Sequence, residues 1–215
     1  TNSAKYGGYT HLVAMANTIP CMDDVETIRD FKRRVEKDAK VHTYTYSAIT
    51  KELKGQELVD FDANSKETIV IGFSDDGKGV QSKDMMEAAM KAAKANDSII
   101  VAHCEDEGEL KPGACINEGN YAKDHDLVGI NNASEYNHAV RDLKLADEIG
   151  NRYHICHIST KETVAALKEA RKTNSLVSGE ACPHHLILTD DNIKDMNPNY
   201  KMNPPLRSKA DHQAL

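Results

Sequence analysis

Three side chains of metal-binding type stand at matching points of the sequence, each at the end of a short apolar run. Asp76 follows residues 68–74, His103 follows residues 98–102, and His157 ends residues 153–157. Carboxylate and imidazole groups are ligands that Zn²⁺ and similar cations accept. A single histidine after a strand is usually a hydrogen-bonded structural residue, whereas three such groups at matching strand ends leave a metal centre and structural roles both open.

The elements that must position these residues alternate strand and helix six times. Such alternation predicts a parallel sheet with crossover helices. A (β/α)8 barrel and an open doubly wound sheet both satisfy it, but no dinucleotide-binding or P-loop glycine motif occurs. Because a barrel gathers its strand ends around one centre, the polar residues that follow nearly every strand favour a barrel. The strands are expected at residues 11–16, 41–47, 68–74, 98–102, 153–157 and 176–181.

Helix signals lie between these strands. Apolar residues at helical spacing predict an amphipathic helix over residues 24–38, and a weak helix is expected over residues 55–64. Ser159 and Glu162 have the spacing of a capping box for the helix that follows. Residues 107–131 are predicted to form a long loop, and a loop of that length is usually functional or an insertion.

The neighbours of the candidate ligands have structural interpretations. His154 is three residues before His157 in the same strand, so it is expected on the opposite face, packed against a helix. By the same argument Cys104 and Cys156 are expected to be core cysteines.

Three further polar residues lie close to strand ends. Asp75 is expected to support a turn or a helix N-terminus. His184 and His185 follow Pro183, and structural or ligand-supporting roles for them stay open.

Composition excludes several classes of protein. The net charge of −7 argues against a nucleic-acid-binding surface. No apolar run approaches the ~18 residues that a transmembrane helix needs, and the first residues lack the apolar core of a signal peptide. The five cysteines form no CxxC pair, which together with the absent signal indicates a reduced, cytoplasmic protein.

Six short motifs follow one another along the sequence. They are residues 16–20, 73–77, 103–106, 156–160, 183–186 and 201–207. In their order and intervals, over almost the whole chain, the sequence resembles the bacterial type I dihydroorotases of the amidohydrolase superfamily.

The resemblance implies a TIM-like (β/α)8 metal-dependent hydrolase barrel with two zinc ions per site. His103 and His157 would ligate one zinc, and Asp76 would bridge both. Asn17 and Asn203 match substrate-binding positions, and Asn17 would help to hold the substrate carboxylate. Related hydantoinases bridge their metals with a carboxylated lysine, so the aspartate favours the dihydroorotase class. Ala16 departs from the proline that is usual before the asparagine, a change expected to be tolerated.

The implied activity is zinc-dependent and interconverts dihydroorotate and N-carbamoyl-L-aspartate in de novo pyrimidine biosynthesis. A zinc-activated water would attack the cyclic amide carbonyl, because zinc lowers the pKa of bound water to about 7. The implied partners are the small-molecule substrate, a possible second copy of the chain and possibly aspartate transcarbamoylase. A related cyclic amidase of the hydantoinase or allantoinase type is the alternative enzyme.

Two motifs of the family do not occur in this sequence. The resemblance calls for a His-x-His pair after the first barrel strand and for a catalytic aspartate after the eighth, and neither is present. We therefore expect residues 1–215 to form a single barrel domain truncated at both ends, covering about strands two to seven. The expected catalytic aspartate would lie beyond Leu215, and the chain alone would be inactive. A non-catalytic fragment or structural homologue that supports a partner is the other alternative.

Overall fold

Short parallel strands and helices alternate along the chain. The computed structural model describes all residues from Thr1 to Leu215, and they form two compact units. Unit 1 comprises Thr1–His103 and Ile149–Arg152, and unit 2 comprises Cys104–Glu148 and Tyr153–Leu215. None of the helices is long and apolar enough to cross a membrane.

Unit 1 carries four strands with helices before and between them. Its elements are α1 (Asn2–Tyr6), β1 (His11–Ala14), α2 (Val25–Asp38), β2 (His42–Ser47), α3 (Phe61–Ser65), β3 (Val70–Phe73), α4 (Lys83–Ala95) and β4 (Ile99–Ala102). Strands β1 to β4 pair in chain order, and every pair is parallel. All four strands therefore end at the same edge, where β3 delivers Asp75 and Asp76.

Helix α4 shows why the sequence forms these elements. Ser82 accepts a hydrogen bond from the backbone N–H of Met85 at 3.3 Å, which satisfies one free donor of the first turn. Met86, Ala89 and Met90 recur at helical spacing and are buried. The cap and the apolar spacing thus account for this helix and for the face that it buries.

Unit 2 contains the remaining elements. They are β5 (Ile116–Asn117), α5 (Asn120–Asp124), β6 (Gly129–Ile130), α6 (Ala133–Ile149), β7 (Arg152–Ile155), α7 (Lys161–Ala170), β8 (Val177–Gly179) and α8 (Lys209–Ala214). Strands β7 and β8 are parallel and pair from Tyr153 with Val177 to Ile155 with Gly179. A Cβ on Gly179 would come within 2.8 Å of Leu167 in α7, so this position requires glycine for close helix–strand packing.

Two expectations about regular structure were wrong. The weak helix over residues 55–64 is only α3, because the side chain of Asp60 accepts from the N–H of Ala63 and starts the helix there. The loop over residues 107–131 is not structureless, since it contains the parallel pair β5 and β6 with α5 between them.

The start of α7 also differs from the expected capping box. Thr160 is the N-cap, and its hydroxyl accepts from the N–H of Thr163 at 3.4 Å. Ser159 cannot cap the helix because its hydroxyl and its N–H are both bonded to Glu135 of α6.

Candidate metal centre

Asp75 and Asp76 have different environments at the end of β3. Asp75 is 2% exposed and accepts from the N–H groups of Ile49 and Thr50 at 2.7 and 3.1 Å, and from the Thr50 hydroxyl. Burial raises the pKa of the Asp75 carboxyl, while these hydrogen bonds act in the opposite direction. Asp75 therefore ties the loop after β2 to the end of β3, which is the supporting role expected for it.

Asp76 lies beside two of the other predicted site residues in unit 1. Its Oδ1 is 3.8 Å from His103 Nδ1, and the two side chains are 19% and 4% exposed. Asn17 donates from Nδ2 to Asp76 Oδ2 at 3.1 Å. The left-handed φ of +81° at Gly77 turns the chain away directly after the carboxylate. Unit 1 thus brings Asn17, Asp76 and His103 together.

His157 follows β7 in unit 2 and has an unusual backbone conformation. Its φ is +36°, in the left-handed region that residues with a Cβ rarely adopt. Residues held in this way cluster at functional sites, where the surrounding structure enforces them.

The loop after His157 is held by Glu135, a residue that the sequence analysis missed. Glu135 is 3% exposed, and its carboxylate accepts from the N–H groups of Ser159 and Thr160, both at 3.0 Å. It also accepts from the Thr160 hydroxyl at 2.8 Å and from the Ser159 hydroxyl. One signal was available, because Glu135 lies one turn before Ala139 on the apolar face of α6.

Arg207 also holds the loop after His157. Its guanidinium is buried and donates to Ser159 Oγ at 3.1 Å and to the carbonyl oxygen of Ile130 at 2.8 Å. Burial lowers the pKa of Arg207, and the charge of Glu135 acts against that shift. The arginine that closes the last sequence motif is therefore a structural residue of this loop.

Asn203, the other predicted substrate-binding residue, lies in unit 2. Its Nδ2 donates to Glu105 Oε1 at 2.9 Å. Both line a pocket of about 400 Å³ to which Lys111 and Lys201 also contribute. The pocket therefore combines the Glu105 carboxylate with two ammonium groups, of which Lys111 Nζ is also 3.3 Å from Glu118 Oε1.

The expectation for His154 was wrong. His154 does not pack on a helix, because its Nδ1 is 2.8 Å from Ser178 Oγ and its Nε2 is 3.5 Å from Glu180 Oε2. The hydrogen bond from His154 lowers the pKa of Glu180. The neighbouring Tyr153 is the residue that faces the helix, since its hydroxyl donates to Asp142 of α6 at 3.0 Å.

The two core cysteines behave as expected. Cys104 and Cys156 are 4% and 2% exposed. Burial raises the pKa of the Cys104 thiol well above its ordinary value. Both residues are therefore buried packing residues. The raised pKa also keeps the Cys104 thiol protonated.

His184 and His185 lie in the turn after β8, and their rings are 4.3 Å apart. Burial lowers the pKa of His185 to about 4, so this side chain is neutral at pH 7. Burial and the nearby His157 also lower the pKa of His184.

One groove of unit 1 lies away from Asn17, Asp76 and His103. It has a volume of about 820 Å³ and is lined by residues around Thr10 and His42, where β1 and β2 begin. In α/β barrels the chemistry lies at the opposite, C-terminal ends of the strands.

The sequence of the chain is similar to known proteins. A family model described as dihydro-orotase-like matches residues 1–163. The chain is 46% identical to a dihydroorotase of Geobacillus thermodenitrificans and 45% identical to one of Shouchella clausii, in each case over 215 residues, which are all of this chain and 50% of the relative. The chain thus spans about half the length of the curated relatives it matches.

Solved structures show the same fold. An L-hydantoinase from Arthrobacter aurescens has a TM-score of 0.80 at 21% identity, and the match covers 99% of this chain and 48% of the hydantoinase. A dihydroorotase from Saccharomyces cerevisiae, solved with 5-fluoroorotic acid, has a TM-score of 0.74 at 17% identity, covering 98% of this chain and 58% of the other. The predicted fold class, an incomplete parallel barrel with helices between its strands, is confirmed.

Proposed function

The chain belongs to the dihydro-orotase-like family, and from that premise we propose that the protein interconverts dihydroorotate and N-carbamoyl-L-aspartate in de novo pyrimidine biosynthesis. The observation that carries the proposal is the 45–46% identity to dihydroorotases over all 215 residues. In the hydrolytic direction, water adds across the ring amide: the carbonyl carbon gains the oxygen and the nitrogen gains a proton as the C–N bond breaks. Ring closure is the reverse.

We propose Zn²⁺ as the cofactor, with Asp76, His103 and His157 as ligands and Asp76 bridging two ions. Ligand atoms that are each about 2 Å from one zinc ion lie roughly 3–4 Å apart. The 3.8 Å between Asp76 Oδ1 and His103 Nδ1 fits that requirement. The strained backbone of His157 supports its assignment as the third ligand. Bound zinc would supply a water of lowered pKa and would polarise the amide carbonyl.

The remaining site residues would orient these groups and the substrate. Asn17 holds Asp76 Oδ2 by a hydrogen bond of 3.1 Å, which fixes the carboxylate and leaves Oδ1 towards His103. We propose that Asn17 also helps to bind the substrate carboxylate. Asn203 would bind the substrate from its pocket, which Glu105 and Lys201 also line.

Activity is best tested in a chimera, because the relatives are about twice as long as this chain. The 215 residues would replace the matching half of the Geobacillus thermodenitrificans dihydroorotase. We expect zinc-dependent hydrolysis of dihydroorotate by the chimera and none by the 215-residue chain alone. A chimera that folds and binds zinc but does not turn over dihydroorotate would contradict the proposal.

Two alternatives are resolved by the same experiment. A cyclic amidase of the hydantoinase or allantoinase type would hydrolyse hydantoin or allantoin faster than dihydroorotate; the structural likeness to an L-hydantoinase supports including these substrates. A non-catalytic homologue would turn over none of the three.

We propose that the protein works in the cytoplasm. All five cysteines are free thiols, which agrees with a reducing compartment. A homodimer and an association with aspartate transcarbamoylase are proposed as assemblies. Analytical ultracentrifugation of the chimera, alone and with that enzyme, would test both.

A further inference from the structure

A second cluster of metal-binding side chains lies in the turn after β8. Cys182, His184 and His185 each offer one donor atom, and these three atoms lie within 4.8 Å of one another. None of the three belongs to the ligand set proposed above.

The backbone holds this cluster in a tight turn. The carbonyl oxygen of Cys182 accepts from the N–H of His185 at 3.0 Å and from the N–H of Leu186 at 3.3 Å. This turn places the sulfur and both imidazoles on one short segment, so no large rearrangement is needed for them to face one ion.

His185 provides an independent sign that a ligand belongs here. Its Nε2 is 3.1 Å from the carbonyl oxygen of Pro204, which can only accept, so Nε2 carries the proton. Nδ1 therefore has a free lone pair, yet it is buried without a hydrogen-bond partner in a residue that is only 3% exposed. A ring that donates one N–H to a backbone carbonyl while its other nitrogen is free is the arrangement found in metal-ligating histidines.

We propose that Cys182, His184 and His185 form a separate binding site for Zn²⁺. One thiolate and two imidazoles select a soft or borderline cation over Mg²⁺ or Ca²⁺. Three protein ligands leave the fourth position of a tetrahedral zinc open, and Cys182 and His184 are both partly exposed.

A neighbouring cluster is a weaker candidate for the same ion. His154, Cys156 and Glu180 also offer three donor atoms within 4.8 Å. Both ring nitrogens of His154 already face partners, however, Ser178 at 2.8 Å and Glu180 at 3.5 Å. The test must therefore distinguish a metal bound by His154, Cys156 and Glu180 from one bound by the cluster of Cys182, His184 and His185.

The test is a Co²⁺ titration of the 215-residue chain, followed by near-ultraviolet absorption. A cobalt–thiolate bond gives a charge-transfer band, whereas Asp76, His103 and His157 contain no sulfur. We expect the band in the unmodified chain, its loss in Cys182→Ser, and its retention in Asp76→Asn. Zinc content, measured by mass spectrometry after dialysis, should fall by about one ion per chain in Cys182→Ser relative to the unmodified chain.

Two control variants make the result decisive. Cys115→Ser, another partly exposed cysteine, should keep the band, as should Cys156→Ser. A band that survives in Cys182→Ser, or that disappears only in Cys156→Ser, would overturn the proposal. Circular dichroism of each variant shows whether it is folded, and His184→Gln, which keeps the thiol, should shift the band or weaken cobalt binding. An unchanged titration in His184→Gln would also count against the site.

Discussion

At the scale of single residues, His157 combines a proposed ligand with a backbone conformation that disfavours any side chain. Its φ of +36° costs of order 1 kcal/mol in a residue with a Cβ. The loop that enforces this conformation is anchored by Glu135 and Arg207, both buried. We attribute the conformation of His157 to its proposed role as a zinc ligand.

This view predicts opposite stability effects of glycine at two positions. His157→Gly should be more stable than His157→Ala by about 1 kcal/mol, because glycine adopts a positive φ freely. Ala165→Gly on the exposed face of α7 is the matched control and should lose about 1 kcal/mol relative to alanine. Urea unfolding of the variants gives both differences. Equal stability of the two His157 variants would show that the backbone there is not strained.

Substitution of the adjacent carboxylates Asp75 and Asp76 should have different effects, the first on stability and the second on metal binding. Asp75→Ala leaves the N–H groups of Ile49 and Thr50 without their acceptor, so we expect a loss of about 3 kcal/mol in the free energy of unfolding. Asp76→Ala should change stability by less than about 0.5 kcal/mol in metal-free protein. It should abolish zinc binding at the centre formed with His103 and His157, and with it chimera activity, while the separate site at Cys182 keeps its ion. Zinc bound at full stoichiometry by Asp76→Ala would refute its assignment as a ligand.

Cys21 is expected to be an unreactive thiol although it is only partly buried. Burial, followed by the charges of Asp23, Asp75 and Glu52, raises the pKa of Cys21 to about 12. At pH 8 its thiolate fraction is then about a thousandfold below that of a thiol with a pKa of 9.0. Iodoacetamide labelling followed by mass spectrometry should show slow modification that rises about tenfold per pH unit. Asp23→Asn should accelerate it, and labelling as fast as that of a free thiol would contradict the prediction.

At the scale of elements, the contact between α6 and the start of α7 depends on one carboxylate. Glu135 accepts hydrogen bonds from four donor groups, the N–H and the hydroxyl of both Ser159 and Thr160. Ser159 is thereby engaged by Glu135, and Thr160 caps α7 in its place. Helix α6 thus fixes, through Glu135, the positions of Ser159 and Thr160, which closely follow His157.

Substitution of Glu135 should therefore affect both stability and the metal centre. Glu135→Ala leaves four donors without an acceptor and removes a negative charge that favours the charged form of the buried Arg207, and we expect a loss of about 3–5 kcal/mol. Glu169→Ala, on the exposed side of α7, should change stability by less than about 0.5 kcal/mol. Guanidinium unfolding measures both. If Glu135→Ala were as stable as Glu169→Ala, the four hydrogen bonds would carry no net stabilisation.

At the scale of the whole molecule, bound zinc should stabilise the folded chain by mass action. A free concentration one hundred times the dissociation constant corresponds to about 2.7 kcal/mol, or roughly 5–10 °C in Tm for a chain of this size. Calorimetry of the unmodified chain should show this shift with Zn²⁺ and its loss with a chelator. His103→Ala should show a smaller shift, and no shift in any variant would exclude zinc binding by this chain.

Much of this organisation can be predicted from the sequence. Helices α2 and α4, the parallel order of the strands and the polar residues at strand ends all follow from local periodicity and capping, which depend on residues within about four positions. Three of the wrong expectations have a common origin. The cap of α7, the partners of His154 and the structure within residues 107–131 each depend on contacts with residues distant in sequence.

The sequence by itself determined the family, the alternating fold and the identity of Asp76, His103 and His157 as ligand candidates, because residue types and their spacing are local properties. Only the tertiary structure decided that Asp76 lies 3.8 Å from His103, that Glu135 and Arg207 hold the loop after His157, and that His185 has a buried nitrogen without a partner. These facts depend on contacts between elements tens of residues apart. Such contacts are fixed by packing, and no local pattern in the sequence encodes them.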